Sequence, residues 1–266
     1  MRTVQHNRSK SLIALLAGGA LLAALAGCGS LGGGDISFVR TLNAYVPASG
    51  ASSVLNVTSG SLVLSGSSGV GFGQFANGGA YTGVGTGVFN PSGSGTGVTS
   101  TMLFTSAPTL TANTSYMLIA AGRSGQTGTL APQFLLTPNY TTDMLTIPAG
   151  DAAIRVVNVS SNPNTVGLFA TNSGTPTSAL ATNFASVAYG YASAANPYVA
   201  VPTTQLANLA LVDTTNTTVP LSLSASSTLN NVTFVSGQAY TLYVFGQPAN
   251  SDEPLGAIWV QDFPTQ

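Results

Sequence analysis

The sequence predicts an all-β protein: two tandem immunoglobulin-like β-sandwich domains after a cleaved signal peptide. Three observations predict it. Short apolar runs rich in Val, Thr, Tyr and Phe recur between Gly, Asn, Ser and Pro clusters, the pattern of strands and turns. No stretch beyond the first 27 residues holds a 3.6-residue apolar period. The second half of the chain repeats motifs of the first.

Arg2, Arg8 and Lys10 precede an uncharged apolar run from Leu12 to Ala26. That run falls short of the roughly 20 residues a membrane-spanning helix needs, and a short apolar run after a basic start reads as a secretory signal. It ends Leu25-Ala26-Gly27-Cys28, which resembles the lipobox of bacterial lipoproteins. The resemblance implies cleavage after residue 27 and a lipid on Cys28, the only cysteine of the chain. It therefore implies a membrane partner through the Cys28 anchor. Gly29 in place of Asp is similar to outer-membrane rather than inner-membrane lipoproteins, whether facing the periplasm or the cell surface. Residues 28–35 then read as acylated Cys and Gly-rich tether.

Two sandwich repeats are expected at 36–145 and 152–264, joined near Thr146–Asp151. Strands are expected around Ser61–Leu64, Tyr116–Ile119, Ile154–Val157, Leu209–Val212, Tyr240–Phe245 and Ala257–Val260. Arg40-Thr-Leu-Asn43 matches Arg155-Val-Val-Asn158 at an offset of 115, and Tyr116 with Gly122 matches Tyr240 with Gly246 at an offset of 124. The same offset of 124 would set Phe134, Leu135 and Leu136 against Ile258, Trp259 and Val260. The glycine-rich stretch 83–97 reads as a mobile loop. The Arg-x-x-Asn strand, a Pro-containing turn, the later Tyr-x₅-Gly strand and Pro148-Ala-Gly150 together resemble the bacterial DUF4397 domain. That family often occurs in tandem on lipoproteins. The resemblance covers nearly all of residues 36–264 and implies a fold and an envelope location, but no activity.

Composition narrows the chemistry. Only 5% of the 266 residues are charged, against about 25% in an average domain. So few cations exclude a nucleic-acid partner, because neutralising phosphates requires Lys and Arg. Removal of residues 1–27 would take away His6 and Lys10, the only His and the only Lys. The remainder carries Arg40, Arg123 and Arg155 against seven acids, a net side-chain charge of −4. Without His, Lys or a free thiol there is no catalytic triad, Schiff base, P-loop or His-bearing metal site. No cofactor, metal or catalytic residue is expected.

Weaker motifs read structurally. Asp213-Thr-Thr215 is similar to half of an aspartic-protease dyad, but it lacks a second copy, and a turn is expected. Gly71-x-Gly73-x-x-Ala76 has no helix pattern after it, so a glycine-rich turn or edge is expected rather than a dinucleotide site. Asp252, Glu253 and Asp262 could offer oxygens to Ca²⁺, but their spacing fits no known loop. Arg40 and Arg155 occupy matching positions, either as anion contacts or as strand arginines pairing with an acid or carbonyl.

Tyr189, Tyr191 and Tyr198 lie in an alternating aromatic stretch and are the candidate ligand contacts. They form either a stacking platform for sugar rings or a partner protein, or an inward-facing core surface. Phe75 and Tyr81 in the first copy favour the core. Two classes of function follow: a lipid-anchored, non-enzymatic binding or structural module that meets an envelope protein or polysaccharide, or an envelope glycan-processing enzyme using Asp and Glu carboxylates.

Overall fold

The computed structural model describes residues 35–48, 53–98, 101–139, 146–161, 165–191, 196–225, 227–230, 232–248 and 252–262. Residues 1–34, which hold the expected signal peptide, Cys28 and the tether, lie outside them, as do residues 140–145 and 192–195. In chain order the first half forms β1 (Ile36–Asn43), β2 (Val54–Ser59), β3 (Leu62–Val63), β4 (Val70–Gly71), β5 (Thr82–Gly85), β6 (Gly87–Val88), β7 (Ser92–Thr96), β8 (Thr109–Leu110), β9 (Ser115–Ala121) and β10 (Gln133–Pro138). The second forms β11 (Asp151–Asn158), β12 (Val166–Asn172), β13 (Thr175–Ala179), β14 (Val199–Pro202), β15 (Leu209–Asp213), β16 (Asn216–Pro220), β17 (Ala239–Phe245) and β18 (Gly256–Asp262). The helical segments among the described residues are 3₁₀ turns of three or four residues. The protein is all-β, as its sequence predicts.

Each half builds one four-stranded sheet around a parallel pair. In the first the order is β10-β9-β1-β5, and in the second it is β14-β11-β17-β18. β1 runs parallel to β9, and β11 parallel to β17. An outer layer packs on each: β2 with β3, β4 and β7 in the first half, and β13-β12-β15-β16 in the second. Apolar side chains fill the space between the layers. Val39, Leu55, Val57, Leu118 and Phe134 centre one core, and Ile154, Leu168, Leu211, Leu242 and Trp259 the other.

A third core joins the halves. Leu42, Met117, Ile119 and Ala121 of the first pack against Val157, Val159, Tyr243, Phe245 and Val260 of the second. β9, β11 and β17 therefore bury both faces, one in their own core and one in this seam, as does the second half of β1, and residues 35–266 hold together as one compact unit. This explains the unbroken apolar runs. β17 is buried at all seven positions, whereas a strand with one wet face alternates.

The repeated motifs turn out to be joints of this architecture. Asn43 and Asn158 end equivalent strands. Each side-chain amide donates to a carbonyl, Val70 at 2.8 Å and Val187 at 3.1 Å. Each side-chain oxygen accepts the backbone N–H two residues on, from Tyr45 and Ser160. The Tyr116 and Tyr240 hydroxyls each accept a backbone N–H five residues upstream, from Thr111 and Val235, both at 3.0 Å. Gly122 and Gly246, at φ +93° and +82°, press against a carbonyl where a side chain would not fit.

Two expectations need correction. The stretch 83–97 is not a loop: it contributes to β5, β6 and β7. Its glycines allow close strand approach, since a Cβ at Gly95 would stand 2.0 Å from the Val54 carbonyl oxygen and one at Gly93 would stand 2.7 Å from the Phe134 ring. Low complexity here reflects tight packing rather than absence of structure. The last-strand match is also one residue shorter. Phe134 pairs with Ala120, and Ala257 with Val244, so Phe134 corresponds to Ala257 at an offset of 123. That slip decides which residues share a face.

Candidate functional site

Arg40, Arg155, Tyr81, Tyr191, Tyr198 and Asp262 gather at one end of the seam. Arg155 sits mid-strand in β11, where alternation aims it away from its own core. It is 1% exposed. Its Nε donates to Thr241 Oγ1 at 3.0 Å, and its Nη1 reaches into the other half to the Pro138 carbonyl at 2.9 Å. The guanidinium lies over the Tyr198 ring at 4.4 Å and the Tyr191 ring at 5.4 Å, within the range of cation–π attraction. Thr241 passes the contact on by donating to Asp262 Oδ2. The Tyr198 hydroxyl donates to the same oxygen at 2.7 Å. A second cross-half bond joins the Tyr243 hydroxyl and Thr137 Oγ1 at 2.9 Å.

The first half presents a counterpart. Arg40 lies over Tyr81 at 4.3 Å and Phe75 at 5.8 Å. Asn139 donates its amide to the Tyr81 hydroxyl. Asn139 bonds to Ser115, and Asp262 pairs with Ala239, so the two hold the same place at an offset of 123. Arg–Tyr–Asn in one copy therefore stands beside Arg–Tyr–Asp in the other, two cations to one carboxylate.

Burial sets the protonation states. It pushes the phenols of Tyr198 and Tyr243 well above their ordinary range; Asp262 adds to this, and Arg155 opposes it. Both stay protonated at neutral pH and remain donors. Burial also raises the Asp262 carboxyl, against the stabilising pull of Arg155, Thr241, Tyr198 and Arg40. For Arg155 burial opposes the charge, but Tyr198, Tyr243 and Asp262 outweigh it and its pKa rises. Within the cluster Arg40 Nε, Arg155 Nη2, Asn139 Oδ1 and Asp262 Oδ1 are buried with no hydrogen-bond partner among the described residues. Two donors with two acceptors are the complement that ordered water can satisfy.

The three candidate tyrosines thus border the seam. Tyr189 and Tyr191 pack against the shared core, and Tyr198 against Ala153 and Ala239. All three are half-buried. Burial pushes the Tyr189 phenol up to about 12. Alternation suggests a strand here, but among the described residues of the stretch, which exclude 192–195, Val187, Tyr189 and Gly190 make isolated bridges, and Gly190 turns the chain at φ +100°. These rings line the joint between the halves and keep part of their surface exposed.

The other candidates resolve locally. Asp213 Oδ1 accepts the Thr215 N–H and hydroxyl, closing the turn into β16. Gly73 turns at φ +66° where a Cβ would stand 2.9 Å from the Phe245 ring. Asp262 lies in the seam, whereas Glu253 accepts the Ser53 N–H at 3.1 Å. Burial raises the Glu253 carboxyl to about 7, with the Ser53 bond opposing and the neighbouring Asp252 adding to the rise. Among the described residues no three acidic, His or Cys side chains gather as metal ligands.

Sequence reasoning missed Thr137, Asn139, Thr241 and Tyr243. The available signal was polar residues placed where inner strands are otherwise apolar. No family model matches the chain, and no curated protein matches it significantly.

Proposed function

We propose that the protein is a lipid-anchored module of the bacterial cell envelope, held in the outer membrane through Cys28. Its role is structural or binding rather than enzymatic, and its ligand class is an envelope protein or polysaccharide. The observation that carries the reading is Leu25-Ala26-Gly27-Cys28 at the end of an uncharged apolar run, with no other cysteine to form a disulfide. Two or more acyl chains suffice for stable anchoring, at about 0.8 kcal/mol per buried CH₂. Support also comes from the way the two buried-face arginines are used. Arg155 bridges to the Pro138 carbonyl and to Thr241, and Arg40 stacks on Tyr81, so both serve the joint. The reading further takes the two copies as immunoglobulin-like sandwiches related to the DUF4397 domain, on their Arg-x-x-Asn and Tyr-x₅-Gly residues.

The test is intact mass of the protein from the membrane fraction. The expected mass is that of residues 28–266 plus acyl groups, and Cys28→Ala is expected to abolish acylation and release the protein from membranes. Identical processing and membrane retention of the Cys28→Ala protein would overturn the reading.

A further inference from the structure

Ile36 and Phe38 open β1, and each is 42% exposed. They share the face of β1 that carries Leu42 into the seam, so among the described residues that face ends at the start of β1 as an open apolar corner. The neighbouring strand does not cover them. Opposite Ile36 and Phe38 on β5 stand Gly85 and Gly83. Val88 is the next exposed apolar residue along the chain from β5. It is 76% exposed and follows two residues after Thr86, whose N–H bonds to the Asp35 carbonyl.

The second copy provides an internal comparison. At the offset of 115 its residues are Asp151 and Ala153. Ala153 is fully buried, with Ile147 and Tyr198 packed against it. Among the described residues, the chain thus closes this corner in one copy and leaves it apolar and open in the other.

The chain length fixes the occupant. Seven residues lie between Cys28 and Ile36, a span of eight residue steps. They reach at most about 29 Å when extended, and a Gly-rich chain of that length averages about 16 Å end to end. An acyl group on Cys28 would keep the corner close to the bilayer surface. The residues after 27 offer three arginines against seven acids, so electrostatic attraction to a lipid surface is not available to them, and apolar insertion is.

We propose that Ile36, Phe38 and Val88 form a membrane-contact surface that seats in the headgroup–acyl boundary and sets the orientation of the body. This rests on the Cys28 anchor. The test uses the full-length lipidated protein with Phe38→Cys, in which position 38 carries the one thiol not acylated. It is labelled with an environment-sensitive fluorophore and reconstituted in phosphatidylcholine vesicles. A Val219→Cys protein is labelled alike as reference, since Val219 is exposed on β16, two layers away. Mass measured first establishes acylation. The expected result is a shift to shorter wavelength at position 38 and quenching by nitroxide lipids, with neither at position 219. Water-like emission at position 38 in acylated protein overturns this surface and leaves the anchor standing. A protein that carries no acyl group overturns both. A concentration-dependent shift at position 38 with no nitroxide quenching assigns the corner to self-association and overturns membrane contact.

Discussion

Arg155→Ala is expected to destabilise residues 35–266 by about 3–5 kcal/mol, the range for breaking a buried charged network by removing one member. The change withdraws the cation from Asp262, whose carboxyl is fully buried. It frees the Pro138 carbonyl and Thr241 Oγ1 of their donors and removes the charge beneath Tyr198. Arg40→Ala is expected to cost less, because Arg40 is half-buried and its counterpart neighbour is the neutral Asn139. Adding Asp262→Leu to an Arg155→Met change is expected to recover much of the loss, since it removes the buried charge left behind. Urea denaturation checks all three. An Arg155→Ala effect within about 0.5 kcal/mol, typical of surface sites, would contradict the account.

Gly246→Ala is expected to cost roughly 2–6 kcal/mol, combining positive-φ strain of about 1–3 kcal/mol with an overpacking term of similar size. Gly246 sits at φ +82°, and a Cβ there would stand 2.2 Å from the Pro254 carbonyl oxygen and 3.1 Å from that of Glu253. Both atoms belong to backbone, so no side chain can swing aside. Gly122→Ala meets the same obstacle, with the Ala131 carbonyl oxygen at 2.2 Å and φ +93°. By contrast Gly174→Ala, at φ +82° with nothing within 4 Å of its Cβ, is expected to show only the strain. Thermal melts of the three variants separate the two contributions. Equal losses at positions 174 and 246 would show that close approach has no part.

Much of this was legible in the sequence because it is local. Strand positions follow from apolar runs and punctuating turns, and the Arg-x-x-Asn and Tyr-x₅-Gly repeats mark the two joints that each copy must make. The pairing of Arg40 and Arg155 across copies also pointed to a shared role. What stayed hidden is non-local. Nothing in the order of residues brings Thr137 of one half to Tyr243 of the other, because that contact depends on how two sheets stack. A one-residue slip in the last-strand match concealed the equivalence of Asn139 and Asp262. Stretch 83–97 misled for a related reason: glycines that admit a close neighbouring strand look, in sequence, like glycines that keep a loop free. The tyrosine stretch suggested a regular strand by alternation, but Gly190 breaks it at the point where the chain crosses Asn158.

The chemistry-bearing residues Arg155, Thr241, Asp262 and Tyr243 of one copy and Thr137 and Pro138 of the other serve one shared seam. Scanning calorimetry of residues 35–266 tests it most directly. A common buried joint predicts a single transition whose calorimetric and van't Hoff enthalpies agree, and which Arg155→Ala moves as a whole to lower temperature. Two resolved transitions, with Arg155→Ala lowering only one of them, would contradict it.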